Sequence, residues 1–166
     1  MRVAIIAACA LLLAGCGKEG PSPAEQARMD DEAIAAVEAA QVPPPTPVTP
    51  ERIGMPDIEK YDMFGAGCSF APGTSIAPVA LLQPKRGFMK IDGKVIPFAP
   101  DAGSGDLPLG VKGKYTGGTY SFVLDLASEE GTQSGSETIN YPARFELRNE
   151  HDQIVFQSDG TAQCGS

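Results

Sequence analysis

The chain contains no tryptophan and one histidine, His151, among its 166 residues. A single imidazole excludes the zinc sites that are built from several histidines. His151 lies beside Glu150 and Asp152 in a predicted hairpin turn, where a catalytic interpretation would make it a general base oriented by a carboxylate. We interpret it instead as an exposed turn residue, because neither a GxSxG nor a Ser-x-x-Lys nucleophile motif accompanies it.

The residues needed for several other kinds of catalytic or binding site are also missing. Glu129, Glu130 and Glu137 flank a Gly/Ser-rich loop, but aromatic platforms for a sugar are missing around this carboxylate group, which argues against glycoside hydrolysis. The segment from Asp101 to Asp106 has too few acids for a calcium loop, and the short glycine motifs do not open helices that could bind phosphate. We therefore predict no metal, no cofactor and no enzymatic activity.

The chain also has few positive charges. Its 13 Lys and Arg residues stand against 21 Asp and Glu, which gives a net charge of −8. A protein this acidic does not bind nucleic acid by neutralising phosphates, and it does not lie electrostatically on anionic lipid. The same charge leaves open a basic protein partner, because opposite charges steer association.

The first residues have the pattern of an export signal. Arg2 precedes an uninterrupted apolar run, residues 3–14, that is shorter than the roughly 20 residues needed to span a bilayer. Leu13-Ala14-Gly15-Cys16 resembles the lipobox of bacterial lipoproteins. This resemblance implies that residues 1–15 are a signal peptide and that Cys16 is acylated. It also implies that the acyl chains anchor the protein in the cell envelope, facing the periplasm. In this resemblance, Gly17 favours sorting to the outer membrane.

The four cysteines then have separate expected fates. Cys9 leaves with the signal peptide and Cys16 carries the lipid, so Cys68 and Cys164 remain in a compartment that oxidises thiols. No CxxC pattern or neighbouring histidine indicates a metal site. We predict a disulfide that joins the first and last strands of the C-terminal domain, where a loop of this length contributes up to about 4–5 kcal/mol.

Residues 16–60 have the composition of a lipidated tether. Ser22-Pro23-Ala24-Glu25 is a capping box with proline at the first helical position, which predicts a helix over about 23–40. The Pro-rich segment 43–50 is typical of extended polyproline II. We expect this arm to hold the following domain away from the bilayer.

From residue 61 to 166 the apolar pattern changes to a period of two. Gly87–Ile91 and Lys94–Phe98 flank Asp92-Gly93, a pair that favours a type I′ hairpin turn. Residues 119–127 alternate in the same way, and Asp159-Gly160 predicts a turn before a last short strand. The expected fold class is mainly β: a small antiparallel β-barrel or sandwich, preceded by the helical and Pro-rich tether and closed by the disulfide.

One cluster of positive charge lies along the predicted hairpin: Lys85, Arg86, Lys90 and Lys94. Solvated lysines commonly protect an exposed strand edge against aggregation. The alternative is a rim that binds an anion or a protein partner.

The order of lipobox, early cysteine, strand-Asp-Gly-strand hairpin and near-terminal cysteine also resembles the membrane-bound inhibitors of C-type lysozyme. That resemblance implies a partner-binding loop with a Ser-Gly pair and a nearby tyrosine, here Ser134, Gly135 and Tyr141. The gap to Tyr141 differs, and the following tryptophan and Lys-Gly are missing. Our first expectation is a non-catalytic envelope lipoprotein with a binding or structural β domain. The alternatives are a periplasmic enzyme inhibitor and, third, a hydrolase.

Overall fold

The computed structural model describes residues 20–166. The predicted signal peptide 1–15 and the predicted lipid attachment at Cys16 lie outside the described residues. The chain divides into two compact units, one that ends at Pro43 and one that spans Pro44–Ser166.

The first unit contains helix α1, Pro23–Gln41, as the capping box predicts. The Ser22 backbone N–H donates to Glu25 Oε2 at 2.8 Å, and the Glu25 N–H donates to Ser22 Oγ at 3.3 Å. These reciprocal bonds satisfy two of the backbone donors that a helix start leaves free. The apolar side chains of α1 are exposed, among them Met29, Ile34 and Val37.

Residues 20–166 contain no helix with the length and apolar character needed to cross a bilayer.

The second unit holds one short helix, nine strands and a 3₁₀ turn. The bounds are α2 Met55–Lys60, β1 Gly67–Pro72, β2 Ala80–Gln83, β3 Arg86–Ile91, β4 Lys94–Pro100, the 3₁₀ turn Pro108–Gly110, β5 Lys114–Thr116, β6 Ser121–Leu126, β7 Thr132–Gln133, β8 Ile139–Arg148 and β9 Ile154–Gly165.

Eight of these strands form a closed antiparallel barrel. β1 to β6 pair in sequence order, β6 pairs with β8, β8 with β9, and β9 returns to β1. The two-residue β7 only pairs with the first part of β8. Closure removes the open edges that a sheet of this size would otherwise expose. The predicted mainly β fold is therefore confirmed, and it is a barrel.

Aromatic rings fill the barrel. Phe70 stacks on Phe145 with ring centroids 4.9 Å apart, Phe145 on Phe122 at 5.3 Å, and Phe122 on Tyr115 at 5.2 Å. All four side chains are fully buried. An eight-stranded barrel is just wide enough either for such side chains or for one small ligand. In this barrel the side chains occupy the interior.

The predicted disulfide is present at the seam where the first and last strands meet. Cys68 of β1 and Cys164 of β9 are directly opposite in the ladder, and their sulfur atoms are bonded at 2.04 Å. Both residues are buried. The bond crosslinks the two strands whose pairing closes the barrel.

Part of the expected tether belongs to the barrel wall. The Val48 N–H donates to the Val155 carbonyl at 2.9 Å, and the Glu51 N–H donates to the Lys90 carbonyl at 2.8 Å. Residues 48–51 thus bond β9 on one side and β3 on the other. The compact unit begins at Pro44 rather than at the expected position 61.

A small second core fastens the rest of this segment to the barrel. Ile53, Met63 and Phe88 bury one another outside the main core. Beside them, Lys90 Nζ lies 3.1 Å from Asp57 Oδ2. The Gly54 N–H and Lys90 together lower the pKa of the Asp57 carboxyl, with the backbone hydrogen bond as the larger cause. We call residues 44–63 the strap.

The two predicted Asp-Gly turns have opposite outcomes. Asp92 and Gly93 both have positive φ, 49° and 71°, and connect β3 to β4 as predicted. The turn predicted at Asp159-Gly160 is wrong, because both residues lie inside β9, which runs unbroken to Gly165. A β-carbon on Gly160 would lie 2.9 Å from Phe70 Cζ, so this glycine is required by packing rather than by a turn.

Candidate functional site: a cleft at one end of the barrel

The connection between β4 and β5, residues 101–113, crosses one end of the barrel. Its 3₁₀ turn contacts β1 and β9, which stand on the wall opposite β5. Val111 is fully buried in the core, and Leu107 packs against it. The loop therefore covers this end of the aromatic stack.

Tyr115, which is buried in the barrel, holds this loop through its hydroxyl group. Its hydroxyl donates to the Gln83 carbonyl at 2.6 Å and accepts from the Lys112 N–H at 3.3 Å. Burial raises the pKa of the Tyr115 hydroxyl. The hydroxyl is therefore neutral at ordinary pH, so it can donate one hydrogen bond and accept another.

A second connection, residues 127–138 between β6 and β8, lies at the same end. The two connections and the end of β6 enclose an open cleft of about 650 Å³. Its apolar lining consists of Leu107, Pro108, Val123, Leu124, Leu126 and Tyr141. Its polar and charged side chains are Ser104, Asp106, Lys114, Asp125, Ser128 and Glu129.

The polar groups of the cleft have defined partners in only some cases. Ser104 Oγ donates to the Asp101 carbonyl and accepts from the Lys114 N–H, at 2.8 and 3.2 Å. Ser128 Oγ accepts from the Glu130 N–H at 3.0 Å. These two hydroxyls stabilise turns. Among residues 20–166, neither the histidine nor a cysteine lines the cleft.

Of the three residues that the inhibitor resemblance predicts for a binding loop, two are exposed and one is buried. Ser134 and Gly135 are exposed on the 127–138 connection that borders the cleft. Tyr141, on β8, is only 6% exposed and contributes to the cleft lining. The Ser-Gly pair and the tyrosine therefore lie at the same end of the barrel, but the tyrosine is a core residue rather than part of a projecting loop.

The positive cluster lies elsewhere, along β2, β3 and β4. Lys90 is paired with Asp57, and Arg86 binds Gln83 Oε1 at 2.9 Å and the Asp62 carbonyl. Lys85 and Lys94 are exposed. Two of the four charges thus hold the strap and its neighbours, and none of the four lines the cleft.

His151 lies in the β8–β9 turn. Arg148 at the end of β8 pairs with Ser121 at the start of β6, whereas the cleft lies at the end of β6. His151 is therefore at the opposite end of the barrel, with Nε2 3.9 Å from Glu150 Oε1. Within residues 20–166, no group of three or more His, Cys, Asp or Glu residues is placed to hold a metal ion.

Sequence reasoning missed most of the cleft. Leu107, Lys114 and Val123 belong to the 101–113 connection, β5 and β6, and Tyr141 belongs to β8. The strand pairing of the barrel brings these elements together. The available signal was the length of the loop between β4 and β5, because long connections in compact domains are commonly functional.

Comparisons of the chain with protein-family models, with curated proteins and with solved structures found no match. The fold and the site together define a disulfide-closed, eight-stranded antiparallel barrel with a filled interior and a cleft at one end.

Proposed function

We propose that this chain is a lipoprotein of the bacterial cell envelope, anchored through Cys16, whose barrel is a non-catalytic binding module. The observation that carries the proposal is the open cleft of about 650 Å³ at the end of a barrel whose interior is filled. Ligand sites commonly have volumes of about 300–1,000 Å³ and an apolar lining with a few polar groups. The cleft is therefore the part of this domain that is best suited to binding.

The proposed location agrees with the chemistry of the domain. The leader, residues 1–15, is followed by the lipobox cysteine Cys16, and the barrel carries a buried disulfide between Cys68 and Cys164. Disulfides persist in the periplasm and are rare in the cytosol. We place the domain at the outer membrane, facing the periplasm and a protein partner there.

The lining of the cleft favours binding over catalysis. Its serine hydroxyls are hydrogen-bonded to nearby backbone groups, and the described residues that line the cleft with them include no histidine or cysteine. Nucleophilic catalysis needs an activated nucleophile next to a base. The same reasoning leaves the hydrolase as the third possibility, and a turnover activity that is lost on His151→Ala would establish it.

The lipid anchor is tested by metabolic labelling with an alkyne analogue of palmitate. Cys16→Ser should abolish the label and release the protein from the membrane fraction. Cys9→Ser is the matched control, because Cys9 lies in the same leader but outside the lipobox, and it should leave labelling intact. Labelled protein from the Cys16→Ser strain would overturn the anchor.

The binding site is tested by placing a photo-crosslinking amino acid at Val123, in the cleft. We expect a discrete protein adduct after irradiation of intact cells. Ile76 is the control position, because it is 98% exposed and does not line the cleft. Equal adducts from both positions, or none from Val123, would argue against the cleft as the binding site.

The exposed Ser134-Gly135 pair beside the cleft supports the second candidate, an inhibitor of C-type lysozyme. Purified residues 17–166 should then inhibit a C-type lysozyme, and Ser134→Ala should weaken that inhibition. No inhibition at micromolar protein would exclude this candidate and leave the general binding proposal in place.

A further inference from the structure

The charges around the cleft are predominantly negative. No Lys or Arg occurs between Lys114 and Arg144, whereas Asp125, Glu129, Glu130 and Glu137 do. All four acids are exposed. Asp125 and Glu129 line the cleft itself, and Glu130 and Glu137 lie on the 127–138 connection that borders it.

The two cleft carboxylates, Asp125 and Glu129, differ from three acids of the second unit that form ion pairs. Asp57 and Glu146 each form an ion pair, and Asp106 at the cleft pairs with Lys112 at 2.5 Å. Within residues 20–166, neither Asp125 nor Glu129 has an ion-pair partner at 4.0 Å or less. Their negative charge is therefore available to a ligand.

The cleft also offers apolar surface directly beside these charges. Leu126 and Tyr141 lie among its lining residues, and Lys114 is the one cation among the described residues that line it. A surface with an apolar floor and an acidic rim complements a side chain with an aliphatic stem and a positive head, which is the structure of lysine and arginine. An anionic ligand would instead meet two unpaired carboxylates.

We propose that the cleft binds a basic, partly apolar segment of a partner protein, with Asp125 and Glu129 contacting its Lys or Arg side chains. This inference rests on the proposed binding function and gives the chemical class of the partner. Electrostatic complementarity of this kind raises the association rate and selects against acidic partners.

The probe is a fluorescein-labelled peptide of alternating Lys and Leu, compared with matched Glu-Leu and Ser-Leu peptides, in anisotropy titrations with residues 17–166. We expect the Lys-Leu peptide to bind and the Glu-Leu peptide not to bind. Asp125→Asn with Glu129→Gln should raise the Kd for the Lys-Leu peptide about fivefold, because two exposed ion pairs are lost.

The control is Glu59→Gln with Glu150→Gln, which removes the same net charge from exposed positions outside the cleft. It should change the Kd less than about twofold, and the difference between the two double variants should shrink at 0.5 M salt. All four substitutions are at exposed side chains, so unchanged thermal unfolding should confirm that each variant is folded.

Three outcomes would overturn the inference: equal weakening by both double variants, equal affinity for the Lys-Leu and Glu-Leu peptides, or no binding of the Lys-Leu peptide. Val123→Trp distinguishes a wrong choice of partner class from a cleft that binds nothing. The substitution narrows the cleft without changing its charge. If Val123→Trp abolishes binding of the Ser-Leu peptide while the carboxylate changes have no effect, the cleft is a binding site for a ligand of another class.

Discussion

The ring of Phe70 lies against the backbone of Gly160 inside the barrel, so close that a β-carbon on Gly160 would stand 2.9 Å from Phe70 Cζ. The same β-carbon would lie 2.2 Å from the Ala71 carbonyl oxygen. Phe70 also stacks on Phe145 at 4.9 Å. The start of the aromatic stack therefore depends on a residue without a side chain in the middle of β9.

Gly160→Ala should destabilise the barrel by about 1–3 kcal/mol, because the added methyl forces the Phe70 ring or the β1 backbone to move. Urea denaturation followed by circular dichroism measures this change. Gly118→Ala is the matched control, since a β-carbon there has open space within 4 Å. An equal effect of the two substitutions would contradict the packing role of Gly160.

Removal of the disulfide by Cys68→Ser with Cys164→Ser should lower the free energy of unfolding by about 2–5 kcal/mol. The bond closes a loop with a sequence separation of 96, so it strongly restricts the unfolded chain. Reductant should destabilise the parent protein to the same extent and leave the double variant unchanged. On a non-reducing gel, either single substitution should remove the mobility shift of the parent.

Ile53→Ala should destabilise the domain by about 2–4 kcal/mol, because this strap residue is only 3% exposed in the small core with Met63 and Phe88. Ile76→Ala is the control, since that side chain is 98% exposed. Its effect should stay below about 0.5 kcal/mol. If the two variants unfold at the same urea concentration, the strap does not contribute to the stability of the domain and is only a tether.

Asp57 should make the strap sensitive to acid. Its pKa is lowered in the folded protein, first by the Gly54 N–H and then by Lys90. Its contribution to stability is therefore complete above the unfolded pKa of about 4 and is lost as the pH falls through the lower folded pKa.

Asp57→Asn should accordingly lower the midpoint of thermal unfolding at pH 7, and the difference from the parent should vanish at strongly acidic pH. Hydrogen exchange of the strap amides should increase in the variant at pH 7. Glu59→Gln, on the same short helix, is the control and should show neither change. A difference that persists unchanged to low pH would argue against the ionised Asp57 carboxylate as its cause.

The features that sequence reasoning predicted correctly depend on neighbouring residues. The capping box at Ser22 and Glu25 and the hairpin turn at Asp92-Gly93 involve contacts within a few positions of the chain. The alternation in β6 and β8 follows from the period of a strand, since Phe122 and Leu124 point inward and Asp125 points outward. The disulfide was predictable because only two cysteines remain after Cys9 and Cys16 are assigned to the leader and lipid.

The features that could not be predicted from the sequence depend on contacts between distant parts of the chain. Gly160 lies inside β9, opposite Pro72 of β1 and Ala143 of β8, and its missing side chain leaves room for Phe70. Lys90 is paired because Asp57 comes from the strap. Tyr141 was expected on a binding loop but is buried because β8 continues through it. Composition alone does not reveal such contacts, since the same Pro-rich or Asp-Gly sequence serves a tether, a turn or a barrel wall.

The sequence by itself therefore determined the capped start of α1, the Asp92-Gly93 turn, the β class and the pairing of Cys68 with Cys164. Capping, turn preference, periodicity and cysteine number act without reference to the fold. Only the tertiary structure decided where the domain begins, that its interior is full, and that the 101–113 loop and β6 form a cleft at one end. These properties arise when the barrel closes and brings together residues from separate segments, at distances that local preferences do not specify.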